Sequence, residues 1–163
     1  MIKIVQAPEE IKLKRNSIKL FLAGGISNCP KWQDDICEKL LTEKRLNEYN
    51  MDIIIFNPRC NSIPEEEAQI KWEYDKLKKS NIISFWFSEG SLNPITLFEY
   101  GSHFKSKTKD LVAGCHMNYQ RRSNVIIQSK LHNPYFRIVD TLEDLYENIV
   151  RSIIDNIIIK SKK

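Results

Sequence analysis

Hydrophobic positions along this chain gather into short runs separated by longer amphipathic stretches. Residues 82–87 (Ile82-Ile83-Ser84-Phe85-Trp86-Phe87) form the clearest run, bounded by turn residues, which is the pattern of a strand buried on both faces. Residues 18–22 and 51–56 read the same way, and 111–114 and 135–139 are further strands of the series. Between them the apolar period lengthens to that of a helix. Residues 30–49 carry Trp32, Ile36 and Leu40, and 64–79 keep Ala68, Trp72 and Leu77 for a core amid charged positions. Asn93-Pro94 is a helix start, because proline sits well at the first helical position. Residues 124–131 continue the alternation. Asp140-Thr141 then caps a last helix whose stripe includes Leu142, Leu145, Ile149 and Ile153.

Regular strand–helix alternation predicts an α/β fold, a parallel sheet covered by helices on both faces. Five main strands suit a flavodoxin-like doubly wound sheet, to which residues 2–5 can add an N-terminal edge strand before Pro8. No repeat, linker or low-complexity block divides the chain. The expectation is therefore one domain over residues 1–163, with a core from 18 to 155, an edge segment 1–17 and a basic tail 160–163.

Composition narrows the classes. Hydrophobic residues are 42% and charged residues 28%, as in ordinary globular proteins. The net charge of +4 is mild, and lysines interleave with acids except at 105–109 and in the tail, so a solvated surface is favoured over nucleic-acid binding. Cys29, Cys37, Cys60 and Cys115 form no C-x-x-C pair, the N-terminus has no signal-peptide pattern, and no apolar run approaches a membrane span. A cytoplasmic protein with free thiols is expected. The irregular spacing of Cys29, Cys60, Cys115 and His116 argues against zinc, and neither metal nor cofactor is called for.

In such a sheet the loops after the strands converge on one crevice. Ala23-Gly24-Gly25 follows the strand at 18–22; its small residues either admit a sugar or phosphate close to the backbone or simply make a tight turn. Asn57 and Arg59 follow the next strand, as base and phosphate contacts or as an Asn-Pro turn with a solvated arginine. Asn118 and Tyr119 offer an amide for a base edge and a ring for its face, beside Arg121 and Arg122. Thr96-x-x-Glu99 fits a capping box, which would turn Glu99 back on its own helix. The earlier start at Asn93-Pro94 instead frees Glu99 to face the crevice as a catalytic carboxylate. Asp75 offers a second one, or is a solvated member of the run 73–76.

These residues carry a resemblance. Phe21-Leu22-Ala23-Gly24-Gly25-Ile26, Asp75 ahead of the run at 82–87, and Pro94-Ile95-Thr96-Leu97-Phe98-Glu99-Tyr100-Gly101 are similar to the nucleoside 2-deoxyribosyltransferase family and its nucleotide N-glycosidase relatives. Trp32-Gln33, Phe85-Trp86-Phe87 and the stretch from Asn118-Tyr119 to Gln128 extend the likeness over about 18–139. The resemblance implies a flavodoxin-like homo-oligomer that cleaves N-glycosidic bonds without a metal. Glu99 takes the place of the nucleophile that forms a covalent glycosyl-enzyme. Asp75 takes that of the aspartate that positions the sugar or helps protonate the leaving base. Two positions depart from the pattern. Asn93 stands where the transferases carry a second aspartate, and Phe21 where they carry a tyrosine beside the nucleophile.

The expected substrate is a (deoxy)nucleoside or its monophosphate, with Ser27, Ser88 and Arg59 available to a 5′-phosphate. Transfer to a second base and hydrolysis both remain open. A non-catalytic nucleotide-binding module and an NAD or ADP-ribose glycohydrolase are the alternatives.

Overall fold

The computed structural model describes residues 1–12, 16–60 and 65–162. Pro64, expected to open a helix, lies outside the described residues, as do 13–15 of the N-terminal segment and Lys163 of the tail. The strands are β1 (Ile2–Gln6), β2 (Ser17–Gly24), β3 (Asp52–Asn57), β4 (Ile82–Phe87), β5 (Asp110–Cys115) and β6 (Ile138–Val139). The helices are α1 (Trp32–Leu41), α2 (Lys44–Asn47), α3 (Glu66–Lys79), α4 (Pro94–His103), α5 (Arg122–His132) and α6 (Leu142–Ser161). The six strands form one sheet in the order β1-β3-β2-β4-β5-β6, and every pairing is parallel. This is the flavodoxin-like order with β1 added at the edge.

Because strand side chains alternate between faces, each apolar run feeds two cores. Ile18, Leu20 and Leu22 of β2 join Ile53 and Ile55 of β3 beneath α1, α2 and α6, with Trp32, Leu46 and Ile149. Phe21 and Ala23 join Ile54, Phe56, Ile83, Phe85 and Phe87 beneath α3, α4 and α5, with Trp72, Tyr100 and Val125. Every residue of β4 is buried, as a central strand between two helical layers requires.

The start of the chain also grips α3. The indole N–H of Trp72 donates to the Glu9 carbonyl at 2.8 Å, and the Lys76 ammonium donates to both Glu10 carboxylate oxygens at 2.6 Å. Lys76 is 1% exposed, so its charge needs that partner.

Three expected boundaries give way to local chemistry. The helix expected over 30–49 breaks after Leu41, where Glu43 becomes the cap of α2; its carboxylate accepts from the Arg45 N–H at 2.9 Å. The strand expected over 135–139 shrinks to Ile138–Val139, and Tyr135 is fully exposed, since only those last two residues find partners on β5. Ala68 points to solvent, because α3 turns Trp72, Lys76 and Leu77 inward.

Candidate active site

Strand order reverses between β2 and β4, and an open α/β sheet leaves its crevice at that point, beyond the carboxyl ends of the strands. A cavity of about 240 Å³ lies there. Phe21, Ala23, Gly24, Gly25, Ile26 and Ser27 of β2 and its loop form one wall; Ser91, Asn93, Pro94, Ile95, Thr96 and Glu99 form another; Pro58 and Glu73 complete it. Of the residues expected at a substrate, Phe21, Ala23, Gly24, Gly25, Asn93 and Glu99 are thus brought together.

Glu99 reaches the cavity because α4 begins where Asn93-Pro94 predicts. Asn93 is the N-cap residue and Pro94 the first helical position, so Glu99 falls in the second turn and makes no capping box with Thr96. Burial pushes the Glu99 carboxyl up to about 8, and the nearby charge of Glu73 adds to the rise. Glu73 is itself raised by burial, opposed by a hydrogen bond from Gln69 Nε2 to its Oε1 at 2.6 Å. Gln69 Nε2 also donates to the Pro58 carbonyl at 2.9 Å, which ties the carboxylate's holder to the wall. Two carboxyl groups raised by burial in one cleft make this cavity the candidate site.

Asp75 is placed elsewhere. Two residues past Glu73, α3 has turned about 200°. The Asp75 carboxylate accepts from Lys79 Nζ at 2.7 Å and from Lys76 Nζ at 3.0 Å, and it does not line the cavity. Glu73, two residues earlier on α3, is the carboxylate of that run that lines the cavity. A helical wheel carries the signal that was missed: at about 100° per residue, Glu73 falls inside the arc from Trp72 to Leu77, and Asp75 falls outside it.

The remaining expected contacts build walls instead of lining the cavity. Asn57 Nδ2 donates to Asp34 Oδ1 at 2.9 Å, and its Oδ1 accepts from the Arg59 N–H at 3.0 Å. The Arg59 guanidinium is buried and donates to Gln33 Oε1 at 2.7 Å and the Pro30 carbonyl at 2.5 Å, pinning the loop after β2. Asn118 Nδ2 donates to Glu89 Oε2 at 3.3 Å. The buried Tyr119 donates its hydroxyl to the Leu92 carbonyl at 2.7 Å, bracing the loop before α4. Cys29, Cys60, Cys115 and His116 do not converge; among the described residues no three His, Cys, Asp or Glu side chains are grouped to hold a metal.

The two loops that close the cavity meet at Gly25. A Cβ there would stand 2.0 Å from Asn93 Oδ1 and 2.5 Å from Cys29 Sγ, so only glycine lets the loops approach. Asn28 (φ 56°) and Asn93 (φ 49°), one in each loop, occupy the left-handed region without being glycine. Such strain is held in place by its surroundings and concentrates at working sites.

A family model described as nucleoside 2-deoxyribosyltransferase like matches residues 17–119, more than half of the chain, and spans both Glu73 and Glu99. No curated protein matches the chain.

Proposed function

The chain belongs to the nucleoside 2-deoxyribosyltransferase-like family, and from that we propose that it breaks the N-glycosidic bond of a (deoxy)nucleoside, with Glu99 as nucleophile and Glu73 as its acid–base partner. The observation that carries this reading is the pair of carboxyl groups in the switch-point cavity, with Glu99 lifted to about 8 beside Glu73.

Two such groups in one apolar site hold protons as a unit, and the pair retains a proton at neutral pH. In the reactive form Glu99 is ionised and Glu73 carries the proton. The Glu99 oxygen forms a bond to the anomeric carbon as the carbon–nitrogen bond breaks. The bonding pair leaves on the base, and Glu73 supplies the proton that neutralises it. Water or a second base then attacks the same carbon, returns a proton to Glu73 and frees Glu99. Retention at the anomeric carbon follows from the two displacements. This assigns to Glu73 the role the sequence reading gave to Asp75.

The lining favours a neutral nucleoside over its monophosphate. It carries two carboxyl groups and, among the described residues, no lysine or arginine, and the Arg59 guanidinium is spent on Gln33 and backbone carbonyls. A phosphate would meet repulsion there without a cation to offset it. A second copy of the chain completing the cavity belongs to the same reading, as the family resemblance implies a homo-oligomer. One feature favours the non-catalytic, nucleotide-binding alternative: Phe21 presents no hydroxyl to Glu99.

Chromatography of the free base decides between them. Wild type and Glu99→Gln are incubated with deoxynucleosides, their monophosphates and NAD, with and without a second base. Glu99-dependent base release is expected from deoxynucleosides, and a new nucleoside on adding a second base identifies a transferase. Binding without release in either protein would leave the non-catalytic module.

A further inference from the structure

An N-cap asparagine ordinarily turns its side-chain oxygen back onto the free N–H groups of its own helix. Asn93 stands at that position of α4, yet its side chain makes no capping hydrogen bond. Its Oδ1 instead accepts from the Cys29 thiol at 3.4 Å, and Cys29 Sγ accepts from the Ser88 hydroxyl at 3.1 Å. A thiol has one proton. With Ser88 donating to the sulfur, the Cys29 proton is left for Asn93, and the chain Ser88, Cys29, Asn93 has one direction.

That direction leaves the other end of the amide over. Asn93 is 5% exposed, and its Nδ2 is buried without a partner among the described residues. An unmatched buried donor destabilises a fold, so its persistence needs a reason. This one stands in the wall of the cavity that holds Glu73 and Glu99.

We propose that Cys29 is a positioning residue: by holding the Asn93 oxygen, it keeps the amide NH₂ as a donor toward an acceptor atom on the leaving base. The inference rests on the glycosidic reading above. As the carbon–nitrogen bond lengthens, its electron pair stays on the base, and the ring nitrogens and carbonyl oxygens there gain negative charge. A fixed donor interacts more strongly with that state than with the intact nucleoside. The substrates selected are bases that present a ring nitrogen or carbonyl oxygen to the start of α4. Without the thiol the amide torsion, which has two broad wells, is free to turn and present its oxygen to the same acceptor.

The test is a double-mutant cycle on the full chain, reading base release from 2′-deoxynucleosides. Cys29→Ser keeps a hydrogen-bond donor and is expected within about threefold of wild type in kcat/KM, whereas Cys29→Ala is expected to lose about tenfold. In an Asn93→Ala background, Cys29→Ala is expected to cost nothing further. Methylthiolation of the thiol in the folded Cys60→Ser protein repeats the test without relying on how an alanine variant folds. The same loss is expected there, and none beyond that of Asn93→Ala when both are combined. Wild-type activity in Cys29→Ala, or losses that add undiminished to Asn93→Ala, overturn the positioning role and leave the glycosidic reading standing. Absence of base release from wild type with every nucleoside overturns that reading and this inference together.

Discussion

Glu73 of α3 and Glu99 of α4 face one cavity from helices on the same side of the sheet, and the charge of Glu73 adds to burial in lifting the Glu99 carboxyl to about 8. Each carboxylate therefore governs when the other can ionise, and several measurable consequences come from that coupling.

The stability of the fold should fall as pH rises through the interval between about 4.5 and about 8. Below 4.5 Glu99 is protonated whether folded or not, and nothing is lost. Between the two values the unfolded chain releases the proton and the folded chain keeps it, so the folded state binds more protons and becomes less favoured with rising pH. Glu99→Gln removes the penalty. Urea denaturation at pH 5 and pH 8.5 should show the variant no more stable than wild type at the lower pH and about 1–3 kcal/mol more stable at the higher. Equal differences at both pH values would refute the assignment.

Glu73→Gln should lower kcat by about a hundredfold or more, the range for losing a general acid–base group. It should also abolish the fall of the pH–rate profile near pH 8, because that fall reports loss of the single proton that Glu73 shares with Glu99 and donates to the base. A large loss with an unmoved profile would separate Glu73 from Glu99.

Asp75→Asn should change kcat/KM by less than about threefold, and stability by less than about 1 kcal/mol. Its carboxylate serves the half-exposed Lys79 and the Lys76–Glu10 pair, and such partly exposed pairs contribute little. Steady-state kinetics and a melting curve on this one variant would distinguish it from Glu73.

Gly25→Ala should cost about 1–3 kcal/mol and most of the substrate affinity, since the added methyl must displace Asn93 and Cys29 together. Calorimetric titration with a nucleoside, beside a thermal melt, reads both effects. Retained affinity in a destabilised variant would show that the loops close independently of the Asn93 amide.

Much of this arrangement was legible in the sequence, for identifiable reasons. The run at 82–87 is apolar on both faces, which only a central strand tolerates, and Asn93-Pro94 fixes where α4 begins and hence where Glu99 points. Helix breaks and facing directions set by tertiary partners were not legible. Glu43 interrupts the expected helix through its own carboxylate, with no proline or glycine to announce the break. Asn118 and Tyr119 have the right chemistry for a base, but Glu89 and the Leu92 carbonyl claim them first. Glu73 and Asp75 are alike in composition and differ only in which side of α3 they occupy, a matter decided by Trp72 and Leu77 packing on the sheet.

The grip of Glu9 and Glu10 on α3 bears on where the protein's working unit begins. The family match starts at residue 17, and both carboxylates of the cavity lie within it. Yet Trp72 and Lys76, one residue before Glu73 and three after it on α3, are anchored to Glu9 and Glu10, which precede the match. A chain trimmed to the matched residues would retain every cavity side chain and lose the strap across the helix that aims one of them, leaving Lys76 without its main counterion. The strand and strap ahead of residue 17 thus belong to the framework of the cavity as an outrigger belongs to a hull: outside the body, and what keeps it level.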